Sequence, residues 1–344
     1  MYSFRNDYSE GAHPKILEAL MKASLEQSVA YGKDRHSLHA AELIRNELGR
    51  SDVDIHFLAV GTQTNLVAIS AFLRPHEAAV SVVSGHINGH EAGAIEATGH
   101  KVVTAASKDG KLTPKLIRSV LDEHTDEHMV KPRLVYLSDS TEIGTIYTKA
   151  ELTALSEFCK ENHLYLYLDG ARLGSALTAR GNDLTLRDLA ELTDAFYIGG
   201  TKNGALLGEA LVICNPVLKE DFRYLLKQRG AILAKGMVLG VQFEELFQNH
   251  LYFELAEHAN EMAGRIRKAM TDEGFDFLTS SPTNQLFPIM SNSLIEDLCE
   301  KYEFELWCKL DDFTSVIRIV TSWATPESAV EDFIQDFQRY SSPK

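Results

Sequence analysis

The stretch LYLYLDGAR, residues 164–172, decides the predicted architecture of this protein. It is apolar or aromatic up to its aspartate, without polar alternation, which is typical of a strand whose sheet is covered on both faces. A helical pattern, KAELTALSEFCKENH, precedes it, and a second one, DLTLRDLAEL, separates it from the next apolar run, AFYIGG at 195–200. Strands that alternate with helices of this length predict a mostly parallel α/β sheet.

The same alternation extends over residues 55–215. The other predicted strands are IHFLAV (55–60), AAVSVVS (78–84), KVVTAAS (101–107), RLVYLS (133–138) and EALVIC (209–214), and the segment NGHEAGAIEATG (88–99) counts among the helical connections. Beyond residue 240 a long helical pattern, 241–274, is followed by FDFLTS, QLFPIM, FELWCKL and SVIRIVTS, and by a helix after Pro326. We therefore predict a mostly parallel central sheet flanked by helices in a large domain, 1–240, which includes an N-terminal helical segment, and a small α+β domain, 241–344.

Composition excludes several classes of function. The 344 residues include 34 Lys and Arg against 49 Asp and Glu, a net charge of −15 that repels nucleic acid and anionic lipid. No apolar run approaches the ~18 residues of a membrane span, and the polar N-terminus is not a signal peptide. The four cysteines form no CxxC pair and no metal-ligand spacing, so we expect reduced thiols, no metal and a cytoplasmic location.

Two strand ends carry residues whose chemistry is complementary. Ligands of open α/β sheets bind at the carboxyl ends of the strands. Asp169 ends a buried strand, where a carboxylate needs a cation such as a protonated pyridine nitrogen. Lys202 follows the strand AFYIGG in IGGTKNGALLG (198–208), where poor solvation would lower its pKa and make its amine a nucleophile. Taken alone, this stretch fits a lysine in a surface turn better than a buried nucleophile.

Two further strand ends complete a cofactor site. Gly61, Thr62 and Gln63 begin a helix after IHFLAV, which suits either a phosphate cradle or an ordinary helix cap. His86 follows AAVSVVS, where an imidazole can stack on a planar ring or move a proton. Pyridoxal phosphate needs a lysine, a carboxylate, a ring partner and a helix start for its phosphate, and the four strand ends together supply them.

These residues lie in motifs that identify a family. DGAR (169–172), SGHINGHEAGA (84–94), YGKD (31–34), GTQTN (61–65) and the IRIVTSW stretch around Arg318 resemble the threonine aldolase and β-eliminating lyase family of fold-type I pyridoxal-phosphate enzymes, over nearly the whole chain. The resemblance implies that Lys202 forms the Schiff base with the cofactor, Asp169 pairs with its pyridine nitrogen, His86 stacks on its ring, and Gly61, Thr62 and Gln63 hold its phosphate.

The resemblance also implies a substrate clamp and a shared site. Arg172, which would also lie beside the cofactor, and Arg318 would bind the substrate α-carboxylate, although Arg318 in IRIVTSW also suits the polar face of a strand. Tyr31 resembles a tyrosine that reaches the active site of a neighbouring subunit, which implies a homodimer or homotetramer with shared active sites. An ordinary half-buried loop tyrosine explains it equally well from sequence alone.

Three departures from the family pattern leave the substrate open. Asn6 stands where many members have a serine that touches the substrate. Glu142, in Thr-Glu-Ile-Gly, stands where many aldolases have a histidine near the substrate β-hydroxyl. Arg229 or Lys235 would have to supply the basic residue that reaches a partner's phosphate.

The resemblance predicts retro-aldol cleavage of a β-hydroxy-α-amino acid, for example L-threonine or L-allo-threonine to glycine and acetaldehyde. His86 or Glu142 would take the β-hydroxyl proton. A β-eliminating lyase or an aminotransferase would use the same lysine and aspartate, and a non-catalytic relative is a further alternative. A dinucleotide-binding dehydrogenase is excluded because no GxGxxG turn follows a strand.

Overall fold

The computed structural model describes residues 1–341. Its strands are β1 (Tyr2–Ser3), β2 (Asp54–Leu58), β3 (Glu77–Val82), β4 (Val102–Ala105), β5 (Lys131–Ser138), β6 (Tyr165–Asp169), β7 (Ala195–Gly199), β8 (Glu209–Ile213), β9 (Gln285–Leu286), β10 (Ile289–Ser291), β11 (Tyr302–Glu303), β12 (Glu305–Lys309) and β13 (Thr314–Val320). Its helices are α1 (Pro14–Ala23), α2 (Arg35–Leu48), α3 (Gly61–Phe72), α4 (His86–Gly89), α5 (Pro114–Glu123), α6 (Lys149–Glu161), α7 (Leu173–Thr178), α8 (Leu186–Leu192), α9 (Phe222–Gln228), α10 (Met237–Gln248), α11 (Leu251–Asp272), α12 (Asn292–Cys299) and α13 (Glu327–Ser341).

The central sheet has seven strands in the order β2-β8-β7-β6-β5-β3-β4. Every pairing is parallel except those of β8, which runs antiparallel to both β2 and β7. Successive residues of β6 enter different cores, since Leu166 and Leu168 pack in the cluster on one face and Tyr167 packs in the cluster on the other. Burial on both faces explains the apolar runs, and the predicted fold class is confirmed.

The reversed direction of β8 places its first residue at the carboxyl edge of the central sheet. Because β8 is antiparallel, its first residue, Glu209, lies where the neighbouring strands end. Glu209 is in register with Gly199 at the end of β7 and with Leu58 at the end of β2. The carboxyl edge of the sheet therefore receives a buried carboxyl group from a strand that begins there.

The C-terminal sheet is antiparallel, with the order β10-β13-β12 and with β9 paired to β13. Its helices α11, α12 and α13 supply Met262, Leu298 and Phe333 to a separate core. The N-terminus belongs to the same region, because β1 pairs with β11 and Phe4 is fully buried in this core. The predicted boundary at residue 240 falls within α10, and the division of the chain into two domains remains a prediction. The last three residues of the predicted small domain, 342–344, lie outside the described residues.

One predicted helical segment was wrong, and another is divided into two helices. Residues 88–99 form the end of α4 and a 3₁₀ turn, Glu96–Thr98, because Ala92 and Gly93 adopt positive φ angles of 51° and 72° that end a helix. The long pattern at 241–274 is broken at His250, whose φ is 57°, so α10 and α11 are separate helices. The expected strand FDFLTS forms only a bridge between Phe277 and Pro288. No helix in the described part of the chain is long and apolar enough to cross a membrane.

Candidate active site

A cavity of about 150 Å³ opens at the carboxyl edge of the central sheet. Its wall is formed by residues at or just beyond the ends of β2, β3, β5, β6 and β7, together with the first residue of β8. Seven of the predicted site residues line it: Gly61, Thr62, His86, Glu142, Asp169, Arg172 and Lys202. The structure thus brings together residues that the sequence distributes over more than 140 positions.

Two glycines allow the turns that carry Asp169 and Lys202 to approach closely. The amide of Gly199 donates a 3.0 Å hydrogen bond to the carbonyl of Gly170. A Cβ at Gly170 would lie 1.9 Å from the carbonyl oxygen of Tyr197, and a Cβ at Gly199 would lie 2.5 Å from that of Ala171. Any larger residue at either position would separate the two turns, because backbone atoms at these distances cannot move aside.

The carboxylate of Asp169 is held by four neutral donors. The hydroxyls of Tyr136 and Tyr197 donate at 2.6 and 2.5 Å, the amide of Asn65 at 2.9 Å and the backbone of Ala171 at 3.0 Å. Burial opposes ionisation, but the neighbouring charge of His86 and these hydrogen bonds hold the pKa of Asp169 below its usual value. No described lysine or arginine forms an ion pair with it, so an anion faces the cavity.

Lys202 has the properties of a nucleophile. Burial lowers the pKa of its ammonium group, and the positive charge of Arg172 lowers this pKa further. Its Nζ atom lies 5.9 Å from the ring centre of Tyr8. The fraction of neutral amine near pH 7 is therefore larger than for a solvated lysine, as attack on a carbonyl compound requires.

The first turn of α3 fits a phosphate group. Val60 caps this helix without a side-chain hydrogen bond, and the amides of Gly61, Thr62 and Gln63 have no acceptor among the described residues. Free amides and the positive end of the helix dipole attract an anion. Because Gly61 has no side chain, this turn lies against Tyr197, whose hydroxyl oxygen would be 3.2 Å from an added Cβ.

An amide links Asp169 to the histidine across the cavity. Asn65 donates from Nδ2 both to Asp169 and, at 2.7 Å, to Oε1 of Glu91, while its Oδ1 accepts from the hydroxyl of Tyr167 at 3.1 Å. The same Glu91 oxygen lies 2.7 Å from Nδ1 of His86. The ring of His86 is therefore oriented by a carboxylate that is itself fixed by the amide contacting Asp169.

Glu142 and Glu209 are further carboxyl groups on the cavity wall. Oε1 of Glu142 accepts from the amide of His86 at 2.8 Å and from Oγ of Ser138 at 2.6 Å. Burial raises the pKa of Glu142. Glu209 accepts from the amide of Gly200 and the hydroxyl of Thr201, and burial raises its pKa to about 8. Glu209 can therefore hold or release a proton near neutral pH.

Arg172 is engaged by a residue from the N-terminal segment. Its Nε and Nη2 atoms donate to the two carboxylate oxygens of Asp7 at 2.6 and 2.9 Å. Arg318 lies outside the cavity lining and pairs with Glu305 on β12. Burial lowers the pKa of Arg318, and the charge of Arg172 lowers it further. Two poorly solvated guanidinium groups that repel each other form a suitable place for a carboxylate.

The other predicted residues do not line this cavity. Gln63 has a buried Oε1 atom without a partner in the described structure. Asn6 closes a local turn by accepting from the amide of Tyr8 and the hydroxyl of Ser9. Tyr31 is 44% exposed, and Arg229 and Lys235 are exposed on and after the end of α9. Contacts of Tyr31 and of these basic residues with a neighbouring subunit remain a prediction.

Sequence reasoning missed several residues of the site. They are Asp7, Asn65, Tyr136, Ser138, Ser140, Tyr197, Thr201 and Glu209, together with the contact between Glu91 and His86. Glu209 had a readable signal, because an acid that begins the apolar run EALVIC is as unusual as the one that ends LYLYLD. Among residues 1–341, no group of three or more His, Cys, Asp or Glu side chains is arranged to hold a metal ion.

Comparison with known proteins agrees with this geometry. The low specificity L-threonine aldolase of Pseudomonas sp. (strain NCIMB 10558) is 33% identical over 348 residues, which cover 98% of each chain. A solved structure of threonine aldolase from Leishmania major is 50% identical and superposes with a TM-score of 0.98 over 99% of this chain and 100% of that one.

Aspartate aminotransferase from Thermus thermophilus is 16% identical, with a TM-score of 0.73 over 99% of this chain and 91% of that one, which shows a common fold alone. The fold is therefore that of the fold-type I pyridoxal-phosphate enzymes, as predicted. The family model described as beta-eliminating lyase matches residues 3–293. The protein belongs to the beta-eliminating lyase family.

Proposed function

We propose that this protein cleaves β-hydroxy-α-amino acids between Cα and Cβ, for example L-threonine or L-allo-threonine to glycine and acetaldehyde. It is a carbon–carbon lyase, in agreement with the names of its relatives. The observation that carries this proposal is the common cavity of Lys202, a lysine with a lowered pKa, and Asp169, a buried carboxylate that pairs with no described lysine or arginine.

The residues present fit pyridoxal phosphate. Asp169 would face the pyridine nitrogen, His86 would lie against the ring, and the free amides at the start of α3 would hold the phosphate. The neutral amine of Lys202 would bond the aldehyde carbon. When bound, the cofactor supplies an electron sink for the pair that is left on Cα when the bond to Cβ breaks.

The protein side chains orient the substrate and move its protons. Arg172 and Arg318 would hold the α-carboxylate, because the guanidinium fork matches a carboxylate. His86 and Glu142, which are joined through the His86 amide, are the candidates to accept the β-hydroxyl proton. Lys202 would return a proton to Cα, which gives glycine.

Three measurements test this proposal. Borohydride reduction of the cofactor-loaded enzyme, followed by peptide mass spectrometry, should locate the cofactor on Lys202. Lys202→Ala should lose the near-visible absorbance of the bound cofactor, whereas Lys268→Ala, which changes an exposed lysine, should keep it. The wild type should release glycine from L-threonine, and absence of glycine from every β-hydroxy amino acid tried would contradict the proposed reaction.

A second candidate is a β-eliminating lyase or an aminotransferase on a small amino acid. The observation in its favour is Glu142, which replaces the histidine that many aldolases have near the β-hydroxyl. This candidate predicts pyruvate and ammonia from L-serine, or transfer of the amino group to a keto acid, in place of glycine from L-threonine. Assays of these products on one preparation separate the two functions.

We also propose an assembly and a location for the protein. Tyr31, Arg229 and Lys235 are exposed, which supports a homodimer or homotetramer in which they contribute to a neighbouring active site. All four cysteines are free thiols, which agrees with a cytoplasmic location. Light scattering would measure the assembly, and mixing Tyr31→Ala with Lys202→Ala subunits would test for a shared site by a change in activity.

A further inference from the structure

Three buried oxygen atoms on the cavity wall have no hydrogen-bond partner in the described part of the chain. They are Oε2 of Glu91, Oγ of Ser140 and Oε2 of Glu142. A buried polar atom without a hydrogen-bond partner is unfavourable, so such atoms in one cavity indicate a ligand that forms hydrogen bonds. All three follow β3 or β5, which places them on one side of the cavity.

The carboxyl group of Glu142 is held so that one of its oxygens remains available. Its Oε1 atom accepts from the amide of His86 and the hydroxyl of Ser138, which fix the plane of the group. Its Oε2 atom accepts no hydrogen bond from the described chain. The backbone of His86 thus orients Glu142, while the ring of His86 is directed by its contact with Glu91.

We propose that Oε2 of Glu142 is the atom that accepts the β-hydroxyl proton of the substrate, and that Oγ of Ser140 forms the second hydrogen bond to that hydroxyl. This inference rests on the proposed function and assigns its proton acceptor. The O–H proton passes to Oε2, the O–H electron pair becomes part of the aldehyde carbonyl, and the Cα–Cβ pair remains on Cα, which takes up a proton to give glycine.

The surroundings of Glu142 make its carboxylate more basic than that of an exposed glutamate. Burial raises its pKa, Asp169 raises it further, and the hydrogen bonds from Ser138 and His86 oppose this rise. Arg172, Tyr136 and Tyr147 interact with it electrostatically, and His86, Glu91, Lys202 and Glu209 line the same cavity. A carboxylate with a raised pKa binds a proton more tightly and is therefore a stronger base than an exposed glutamate.

The decisive variant is Glu142→Gln in the cofactor-loaded enzyme. Its kcat for L-threonine cleavage should fall by about 10²- to 10⁴-fold, the usual contribution of a general base. Exchange of the glycine α-proton in D₂O, followed by NMR, needs no β-hydroxyl and should continue. Glu77→Gln is the matched control, because Glu77 is buried at the opposite end of β3 and accepts from the amide of Arg74. Its cleavage and exchange rates should both stay close to those of the wild type.

Ser138→Ala provides an independent test through pH dependence. The Ser138 hydroxyl stabilises the ionised carboxylate, so its loss should raise the pKa of Glu142 and move the acid limb of kcat/KM for L-threonine to higher pH. An unchanged acid limb in Ser138→Ala, or near wild-type cleavage by Glu142→Gln, would overturn the assignment. Loss of both cleavage and glycine exchange in Glu142→Gln would also overturn it, because a role restricted to the β-hydroxyl spares exchange. If the wild type itself releases no glycine, the proposed function fails instead.

Discussion

Asp7 and Arg172, which are 165 positions apart in the chain, form a two-point ion pair beside the cavity, with oxygen–nitrogen distances of 2.6 and 2.9 Å. Asp7 is 1% exposed, and Asn284 donates to it at 2.9 Å. Burial opposes its charge, but Arg172 and Lys202 hold the pKa of Asp7 below its usual value. The N-terminal segment therefore positions the arginine that we propose to bind the substrate carboxylate.

Asp7→Asn should weaken substrate binding and stability together. We expect the KM for L-threonine to rise at least about tenfold, since a hydrogen bond to a charged group contributes about 1.5–3 kcal/mol. The free energy of unfolding should fall by about 3–5 kcal/mol at pH 7, because Arg172 loses its buried partner. Denaturant titration and steady-state kinetics measure the two effects.

The pH dependence and a control separate this pair from surface pairs. The pKa of Asp7 is lower in the folded protein than its value of 3.8 in the unfolded chain. The wild type is therefore more stable than Asp7→Asn above pH 3.8, and this difference is lost as the pH falls through the folded pKa. Glu331→Gln removes an exposed partner of Arg265 and should change stability by less than about 1 kcal/mol. A similar small loss in Asp7→Asn would contradict the positioning role.

Asn65→Ala should weaken cofactor binding. The Asn65 amide donates to both Asp169 and Glu91. Its loss removes one hydrogen-bond donor from Asp169 and leaves Glu91, the carboxylate that orients His86, less firmly held. One hydrogen bond to a carboxylate predicts a loss of affinity of about 10- to 100-fold, measured by absorbance after dialysis. Asn260→Ala removes an amide that bonds Ser175, away from the cavity, and its affinity for the cofactor should stay unchanged.

Gly61→Ala should separate stability from cofactor binding. Alanine suits the first turn of α3 better than glycine, but its Cβ would lie 3.2 Å from the Tyr197 hydroxyl, so the stability of the protein without cofactor should change by less than about 1 kcal/mol. Gly61 lines the cavity, so the same Cβ narrows the proposed phosphate cradle, and overpacking of about 1–3 kcal/mol against the phosphate predicts roughly 5- to 150-fold weaker cofactor binding. Gly11→Ala is the control, because nothing lies within 4 Å of a Cβ there. Equal affinity of both variants for the cofactor would contradict the proposed phosphate cradle.

Asp139→Asn should change how stability depends on pH. Asp139 is 2% exposed, and burial raises its pKa to about 8 from an ordinary 3.8. Between these values the unfolded chain loses the proton while the folded chain keeps it, so the wild type loses stability as pH rises, by about 1 kcal/mol per pH unit. The asparagine variant lacks this loss, so its thermal stability relative to the wild type should increase from pH 5 to pH 8. A constant difference between the two proteins would show that Asp139 is ionised in the folded state.

Several parts of the fold were readable from the sequence. The seven apolar runs predicted as strands between 55 and 214 all form strands of the central sheet, because burial on both faces is recorded in an uninterrupted apolar pattern. The predicted helix over 88–99 fails at Ala92, and the long helical pattern is divided at His250, because both residues have left-handed backbone. The spacing of apolar residues indicates which side chains are buried, but it does not indicate where the backbone is left-handed.

The sequence by itself determined the α/β class, the acidic surface and the positions of Asp169 and Lys202 at the ends of buried strands. Only the tertiary structure decided that β8 runs backwards and brings Glu209 to the site, that Asp7 reaches Arg172, and that Asn65 joins Asp169 to Glu91. The physical reason is that local pattern reports which residues are buried, whereas contacts between distant residues depend on strand order, direction and packing. Those properties are set by the whole chain and leave no signal in any single stretch of it.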